Sequence, residues 1–586
     1  MKKSILFLTS LISVALLGGC EWSLEPEDDN HSTFDRVYHD PAFAEGLLLT
    51  SYTQIPTNDY RFDEPATDDA VTNDFANSYL NMATGQWTSN YNPQNLWTNC
   101  NRGILYINHF LSIVNDVPWK PSDLEIQTLY IRRLTGEAYA MRGILRYFLL
   151  RNHAGPGISS GQMLGIQIFD DKITEDEMNA PRKNFAESVQ AINSDFDKAL
   201  TYLPASFGDQ TTIPDGFGEV KKIYSYNYVM GNINRQRVDG NIVKAFKGRL
   251  ALLAASPAFN TNNDASLWET AARANAELLD LSKLESTGYL FYLAAQISSG
   301  IITSGDNQDN YEIVWRRPYV TNNTWETNHF PPGLYGSGRI NPTQNLVDVF
   351  PMKNGYPIND PKSVYNPSKP YANRDPRLTA YIIYDGMTYK SRVIKTGQGT
   401  GATNDGLEAT TTSTRTGYYM KKLLREDANP NPSAQATQQH IQIHIRRTEL
   451  FLNYAEAANE VWGPTSSPLG FTAKDVIAAI RKRGGITQPD EYLQTVTTKE
   501  AMRELIRTER RIELCFESQR FWDLRRWKAD ITQSARGVVI TYGADNTPSY
   551  SYRDVEGRAY RDYMYYGPVP YTEILKFKGL EQNVGW

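Results

Sequence analysis

The 586-residue chain predicts a mainly α-helical body interrupted by one long loop-rich, strand-poor insertion. Three observations carry this reading. Between Thr128 and Arg151, the residues Leu134, Ala138, Met141, Leu145 and Phe148 recur at helical spacing, laying one apolar stripe along a helix. Comparable stripes recur before residue 285 and again after residue 440. From Ser286 to about Gln439 the texture changes to Gly, Pro, Asn, Thr and Tyr, with only short strand-like pieces at Tyr311–Trp315 and Tyr381–Tyr384. Successive antiparallel helix pairs are the simplest way to bury so many single-face stripes.

The chain opens on Lys2 and Lys3, followed by an apolar stretch from Ile5 to Leu17 broken only by Thr9, Ser10 and Ser13. As a helix this stretch rises only about 20 Å, short of a bilayer core of about 30 Å, so residues 1–19 read as an export signal. Leu17-Gly18-Gly19-Cys20 resembles a bacterial lipobox, which makes Cys20 the expected lipid-attachment residue. The bland alternative is a plain signal peptide with an incidental cysteine. Residues 20–40 form an acidic tether, and Glu25, Glu27, Asp28 and Asp29 suit either a surface-export signal or a solvated leash.

Residues 41–285 form the N-terminal helical region. Arg132, Arg133, Glu137, Arg142 and Arg146 occupy the other faces of the Thr128–Arg151 helix, which Gly155-Pro156-Gly157 ends. A second helix runs from about Ala186 to Leu203 and stops at Pro204. A third spans Asn241–Ser256, with Val243, Phe246, Leu250 and Leu253 on one side, and a fourth carries Trp268, Ala272 and Leu279. Residues 286–439 are the insertion, and a loop region this long inside a domain is usually functional. In the C-terminal region, 440–586, helices return at Arg447–Val461, Ala473–Arg483 and Thr498–Phe516, with Thr497 and Glu500 as a capping box.

Composition narrows the function classes. Apolar residues make up 40% and charged residues 22%, which supports a large core. The net charge of −6 argues against a nucleic-acid partner, whose affinity rests on neutralising phosphates. After the signal no stretch reaches eighteen uninterrupted apolar residues, so no membrane-spanning helix is expected. Cys100 and Cys515 read as buried free thiols, with a single disulfide left open.

Residues 507–528, RTERRIELCFESQRFWDLRRWK, interleave seven basic residues with Glu509, Glu513, Glu517 and Asp523 and with large apolar side chains. Mixed charge on an aromatic-rich helix predicts an internal ion-pair network that locks helices together. The segment closely resembles the C-terminal signature of the SusD/RagB family of outer-membrane lipoproteins. Further pieces agree in the family's order. They are Glu137-Ala138 through Arg142-Gly143 and Tyr147-Phe148, Asp375-Pro376-Arg377-Leu378, Tyr454-Ala455-Glu456-Ala457, and Ile480-Arg481-Lys482-Arg483-Gly484-Gly485. The ending, Pro568-Val569-Pro570 and Gln582-Asn583-Val584-Gly585-Trp586, completes the set. Val584 stands where the family has Pro and Gly143 where it has Ala; both are framework positions.

The resemblance implies a scaffold of tetratricopeptide-like helix pairs whose loop-rich insertion carries the ligand site. It also implies a surface lipoprotein that acts as the lid of a SusC-like TonB-dependent transporter, capturing glycans for import. RagB-like relatives are associated with peptide uptake instead. The resemblance implies neither an enzyme nor a cofactor; a glycosidase, which needs only two carboxylates, is the competing reading.

For the ligand, the resemblance points to loops before the Glu137 helix and to the insertion. The first stretch offers Asp68, Asp69, Asn77, Tyr79, Trp87 and Tyr91; the second offers Tyr319, Asn322, Trp325, Tyr335, Arg339 and Asn341. Of these, Trp87, Asp69, Tyr79, Asn77, Trp325, Tyr335 and Arg339 are the expected contacts. Trp or Tyr rings can meet the apolar face of a sugar, while Asp, Asn and Arg can bond adjacent hydroxyls. Burying about 100 Å² of sugar face is worth only ~2–3 kcal/mol, whereas a micromolar complex needs about 8 kcal/mol. Several contacts must therefore converge. Trp87 and Trp325, flanked by polar residues, suit exposure as well as burial and are the favoured stacking rings, while Trp315, inside an apolar piece, is expected in the core.

Other signals lapse. His440 and His444 alternate with Ile441, Ile443 and Ile445, which reads as strand rather than as a helical metal-binding face. No HExxH, Walker loop or Gly-x-Ser-x-Gly elbow occurs, and Gly336-Ser337-Gly338 lacks the continuation of a dinucleotide loop.

Overall fold

Helix packs on helix through most of the described residues, among which seven short sheets, six of them two-stranded, fill the corners. The structure, a computed structural model, describes residues 40–57, 60–171, 174, 177–286, 311–399 and 401–586. The export signal, Cys20 and the acidic tether up to residue 39 lie outside the described residues.

The central helix, Leu124–His153, starts where the Asp123 carboxylate accepts from the backbone N–H groups of Glu125 and Ile126. Its stripe of Leu134, Ala138, Met141, Leu145 and Phe148 is fully buried. It packs against Trp97–Ile113 on one side and Phe185–Tyr202 on another. Farther along, Gly240–Ala255 pairs with Ala265–Ala276, which packs in turn on Arg447–Trp462 and so joins the two ends of the chain. Arg447–Trp462 then meets Ala473–Arg483 and Lys499–Leu514. These successive pairs are the tetratricopeptide-like scaffold.

The charged faces of the central helix are interior too. Arg142 and Arg146 both bind the buried carboxylate of Asp195, on the Phe185–Tyr202 helix, at 2.6 Å. Gly143 explains how closely those two helices approach. A Cβ there would sit 2.5 Å from Cε1 of Phe196, so the departure from Ala has a steric reason.

The 507–528 segment is the ion-pair lock its composition predicts. Arg377 binds Asp375, Glu509 and Glu513 at 2.6, 2.9 and 3.1 Å. Arg481 reaches Glu509 at 2.8 Å and Asp490 at 2.5 Å. Arg526 reaches Glu456 at 2.5 Å and Asp523 at 2.9 Å. Segments that carry the family resemblance thus meet in two buried ion-pair groups, Asp375–Arg377 and Arg481 around Glu509 and Glu513, and Glu456 around Arg526 and Asp523. Asn583 extends the framework to the C-terminus, donating to the carbonyl oxygens of His153 and Gly567.

Two details differ from the sequence reading. The cap of the Lys499–Leu514 helix is Thr498, whose hydroxyl accepts from the Ala501 N–H, so the Thr497–Glu500 box does not form. The C-terminal region also holds the longest strands, Ala535–Tyr542 paired antiparallel with Pro548–Glu556. Val538 and Ile540 alternate into the core there, a period-2 signal masked by the surrounding helical texture. Cys100 and Cys515 are buried free thiols, and Trp315 is buried. His440 and His444 lie on strands, Gln438–His440 and Ile443–Arg446. Among the described residues no helix is long and apolar enough to cross a membrane.

Candidate functional site

A three-residue ladder builds the site. Strand Ala70–Thr72 pairs antiparallel with Ile340–Pro342, with Thr72 opposite Ile340. That register brings the loop after Thr72 against the insertion loop before Ile340, although the two are far apart in sequence. Asn73 is the clasp. Its Nδ2 donates to the carbonyl oxygens of Ser337 at 2.9 Å, Gly338 at 3.1 Å and Ser413 at 3.3 Å, and its Oδ1 accepts from Arg339 Nη1 at 3.3 Å. A third segment, Asp405–Thr416, closes the surface: Arg415 donates to the Thr72 carbonyl at 2.8 Å and pairs with Glu556 at 2.7 Å.

Two aromatic rings stand out from this clasp. Phe75 is 70% exposed and lies 5.0 Å from the Arg415 guanidinium. Tyr335 is 57% exposed and holds φ at +64°, a left-handed conformation that residues with a side chain rarely adopt. The loop around it is pinned to the short helix Thr324–His329: the N–H groups of Ser337 and Arg339 donate to the carbonyls of Thr327 and Asn328. Gly333 N–H donates to the Asp405 carboxylate at 2.6 Å. A ring presented on a fixed loop loses little freedom when it meets a ligand. Strain of this kind clusters at ligand clamps.

The expected contacts divide sharply. Tyr335 and Arg339 come together with the loop that carries Asn77. Asn77 itself caps the helix Ser78–Asn81, its Oδ1 accepting from Tyr79 N–H at 2.9 Å and Leu80 N–H at 3.2 Å. Tyr79 is half-buried, and burial pushes its hydroxyl pKa up to about 12. Trp325 is half-buried among Tyr60, Phe62 and His440, with ring centroids 4.8 to 6.3 Å away.

Trp87 and Asp69 are corrections. Trp87 is 3% exposed, packed against Phe521, Tyr560 and the final residue, Trp586, at 5.9, 6.0 and 4.7 Å. Its Nε1 donates to Asn92 Oδ1 at 3.0 Å. The ring has no free face to stack on a sugar; its polar sequence neighbours point outward while the indole is covered from afar. Asp69 is fully buried and paired with Arg511 at 2.7 Å. Neighbouring Asp68 pairs with Arg511 at 2.9 Å and Arg520 at 2.8 Å. Burial works against the Asp68 charge, but the two guanidinium groups outweigh it and hold its carboxyl below the usual range. These carboxylates anchor the ladder to the 507–528 lock. Phe75 and Arg415 were missed from sequence; a single aromatic in the polar run Asn73-Asp74-Phe75-Ala76-Asn77 was the available signal.

A cavity of about 750 Å³ lies elsewhere, between the Trp97–Ile113 and Tyr571–Lys576 helices, walled by Trp97, Tyr106, Phe169 and Phe577. None of the expected contacts lines it. Among the described residues no group of three His, Cys, Asp or Glu side chains is placed to hold a metal ion.

No curated protein matches this chain. Among solved structures, a SusD-like protein from Bacteroides fragilis is 22% identical with a TM-score of 0.69, covering 94% of this chain and 99% of its own. A SusD-like carbohydrate-binding protein from the same species is 20% identical with a TM-score of 0.65, covering 93% and 99%. A laminarin-binding SusD-like protein is 17% identical with a TM-score of 0.55, covering 94% and 100%. At these identities the likeness is one of fold. The family models are more direct. The SusD family model matches residues 301–586, and the model described as starch-binding associating with outer membrane matches residues 32–214. With these models matching 32–214 and 301–586, the chain belongs to the SusD/RagB family.

Proposed function

We propose that the protein binds carbohydrate on the surface made by Phe75, Tyr335, Arg339 and Arg415, as a non-catalytic capture subunit. The observation that carries this is the Ala70–Thr72 to Ile340–Pro342 pairing. It puts two exposed rings and two guanidinium groups on one clasped set of loops, the combination a sugar's apolar face and hydroxyl edge call for. The family description, starch-binding associating with outer membrane, and the carbohydrate and laminarin ligands of two fold relatives support the same class. Binding is favoured over hydrolysis because two acids on these loops and the adjoining strand are held by guanidinium groups. Asp405 pairs with Arg392 at 3.2 Å, and Glu556 pairs with Arg415 and Arg558 at 2.7 and 2.6 Å.

In this reading Cys20 carries the lipid that holds the protein at the outer membrane on the cell surface. The captured glycan passes to a SusC-like TonB-dependent transporter. The lipobox-like run ending at Cys20 supports the anchor, and membership of the family supports the partner.

Isothermal titration against α- and β-linked oligoglucosides, other oligosaccharides and short peptides tests the reading. Saturable binding of a glycan, weakened about 30- to 150-fold in Tyr335→Ala, is the expected result, with no reducing sugar released on incubation. Peptide binding without glycan binding would overturn it.

A further inference from the structure

Away from that surface, five tyrosines gather along the hairpin formed by Ala535–Tyr542 and Pro548–Glu556. Tyr550 stands opposite Ile540 and Tyr552 opposite Val538, so each pair shares a side of the hairpin. Val538 and Ile540 are buried, whereas Tyr550 is half-buried and Tyr552 is 41% exposed. The ring row therefore emerges from the core at its rim. Tyr371 and Tyr384 stack with centroids 4.3 Å apart, and Tyr550 meets Tyr371 edge-on at 6.1 Å. Tyr365 lies near Tyr552, with the Arg374 guanidinium 5.7 Å from the Tyr365 ring.

Two features separate this cluster from ordinary packing. Its base is fixed: the Tyr371 hydroxyl bonds Tyr418, which donates to Gln344 Oε1 at 2.6 Å. Its edge is polar and charged: Asp348 and Arg536 face each other at 3.6 Å, and the Arg536 guanidinium lies 5.9 Å from the Tyr552 ring. Both charged side chains are partly exposed, at 33% and 42%. Rings with hydroxyls beside a carboxylate and a guanidinium offer stacking faces and hydroxyl partners together. A glycan chain uses both; an aliphatic protein surface would use neither the carboxylate nor the ring hydroxyls.

The cluster also lies in line with the first surface. Glu556, which pairs with Arg415, is on the same strand as Tyr552, about 13 Å away at the usual strand rise. We propose that the tyrosine row of Tyr365, Tyr371, Tyr384, Tyr550 and Tyr552, with Asp348 and Arg536 at its edge, is a second glycan-contacting surface. It is reached by chains long enough to extend beyond Phe75 and Tyr335. This inference rests on the carbohydrate-binding reading above.

The test is a chain-length series of whichever glycan the wild-type protein binds, titrated calorimetrically into wild type, Tyr552→Ala, Tyr384→Ala, Tyr552→Phe and Tyr335→Ala. Tyr552→Ala and Tyr384→Ala should leave the Kd of the shortest bound oligosaccharide within about twofold. They should weaken the longest by about tenfold, or about 1.4 kcal/mol. Tyr552→Phe, which keeps the ring, should retain most of the long-chain affinity. Equal affinities of wild type and both Ala variants at every length, with Tyr335→Ala still weakening binding at every length, would overturn the second surface and leave the first standing. A wild-type protein that binds no glycan of any length would overturn both. Melting curves of the two Ala variants within a few degrees of wild type would tie any loss to contact; should Tyr552→Ala melt early, Tyr384→Ala decides.

Discussion

Arg339 donates from Nη1 to Asn73 Oδ1 at 3.3 Å, joining a loop that precedes the central helix to one deep in the insertion. Asn73 is buried and also donates to three backbone carbonyls. Replacing it with Ala would strand those acceptors, at a typical cost of 1–3 kcal/mol for buried unsatisfied groups. Asn73→Ala should lower glycan affinity by loosening the Phe75 and Tyr335 loops, and hydrogen exchange should rise in residues 333–341. Unchanged exchange there would show that the clasp is not what orders the loop.

Trp87 and Tyr335 make opposite predictions. Trp87→Ala should remove about 3–5 kcal/mol of stability, the usual cost of deleting a buried large ring, with affinity per folded molecule retained. Tyr335→Ala should leave the melting temperature nearly unchanged and weaken binding about 30- to 150-fold, the ~2–3 kcal/mol of one stacked ring. Denaturant unfolding beside calorimetric titration reads both.

Gly143→Ala should destabilise the protein although Ala favours helix by about 1 kcal/mol over Gly. The added Cβ would stand 2.5 Å from the Phe196 ring, and overpacking of this kind costs about 1–3 kcal/mol. A compensating Phe196→Leu in the same chain should restore most of the loss in chemical denaturation.

Glu513 sets an acid limit. Burial disfavours its charge, yet Arg483, Arg377, Arg446 and Lys422 bring its pKa from 4.5 down to about 2. A carboxylate held low contributes stability that is complete above its unfolded pKa and is lost as pH falls through the folded value. Melting temperature should therefore decline between about pH 5 and pH 2. Glu513→Gln should be less stable at pH 7 and show a shallower decline; parallel curves for the two proteins would refute the assignment.

Glu64 has the reverse sign. Burial and the neighbouring Asp63 raise its pKa from 4.5 to about 8, and its Oε2 is buried without a hydrogen-bond partner. Stability from the neutral form is present below the unfolded pKa and is lost as pH rises toward the folded value. Glu64→Gln should raise the melting temperature at pH 8 and change it little at pH 4.

The helices, the ion-pair lock and buried Trp315 were legible because their signals are local: a stripe at helical spacing, charges interleaved with apolar side chains, an aromatic inside an apolar run. Boundaries were legible only to within a few residues: the cap shifted from Thr497 to Thr498, and the central helix begins at Leu124 rather than Thr128. The Ala535–Glu556 hairpin was missed because its alternation is short beside the strong helical pattern just before it.

By itself the amino-acid sequence determined a helical scaffold and its ion-paired signature segments, since periodicity and composition survive without knowledge of distant neighbours. The tertiary structure alone decided which rings face water. Trp87 is covered by Trp586 from the far end of the chain, and Asp69 by Arg511, while Phe75 and Tyr335 are left outside by the same packing. Exposure is a property of what comes to lie on top of a residue, and contacts between remote segments leave no trace in the residues on either side.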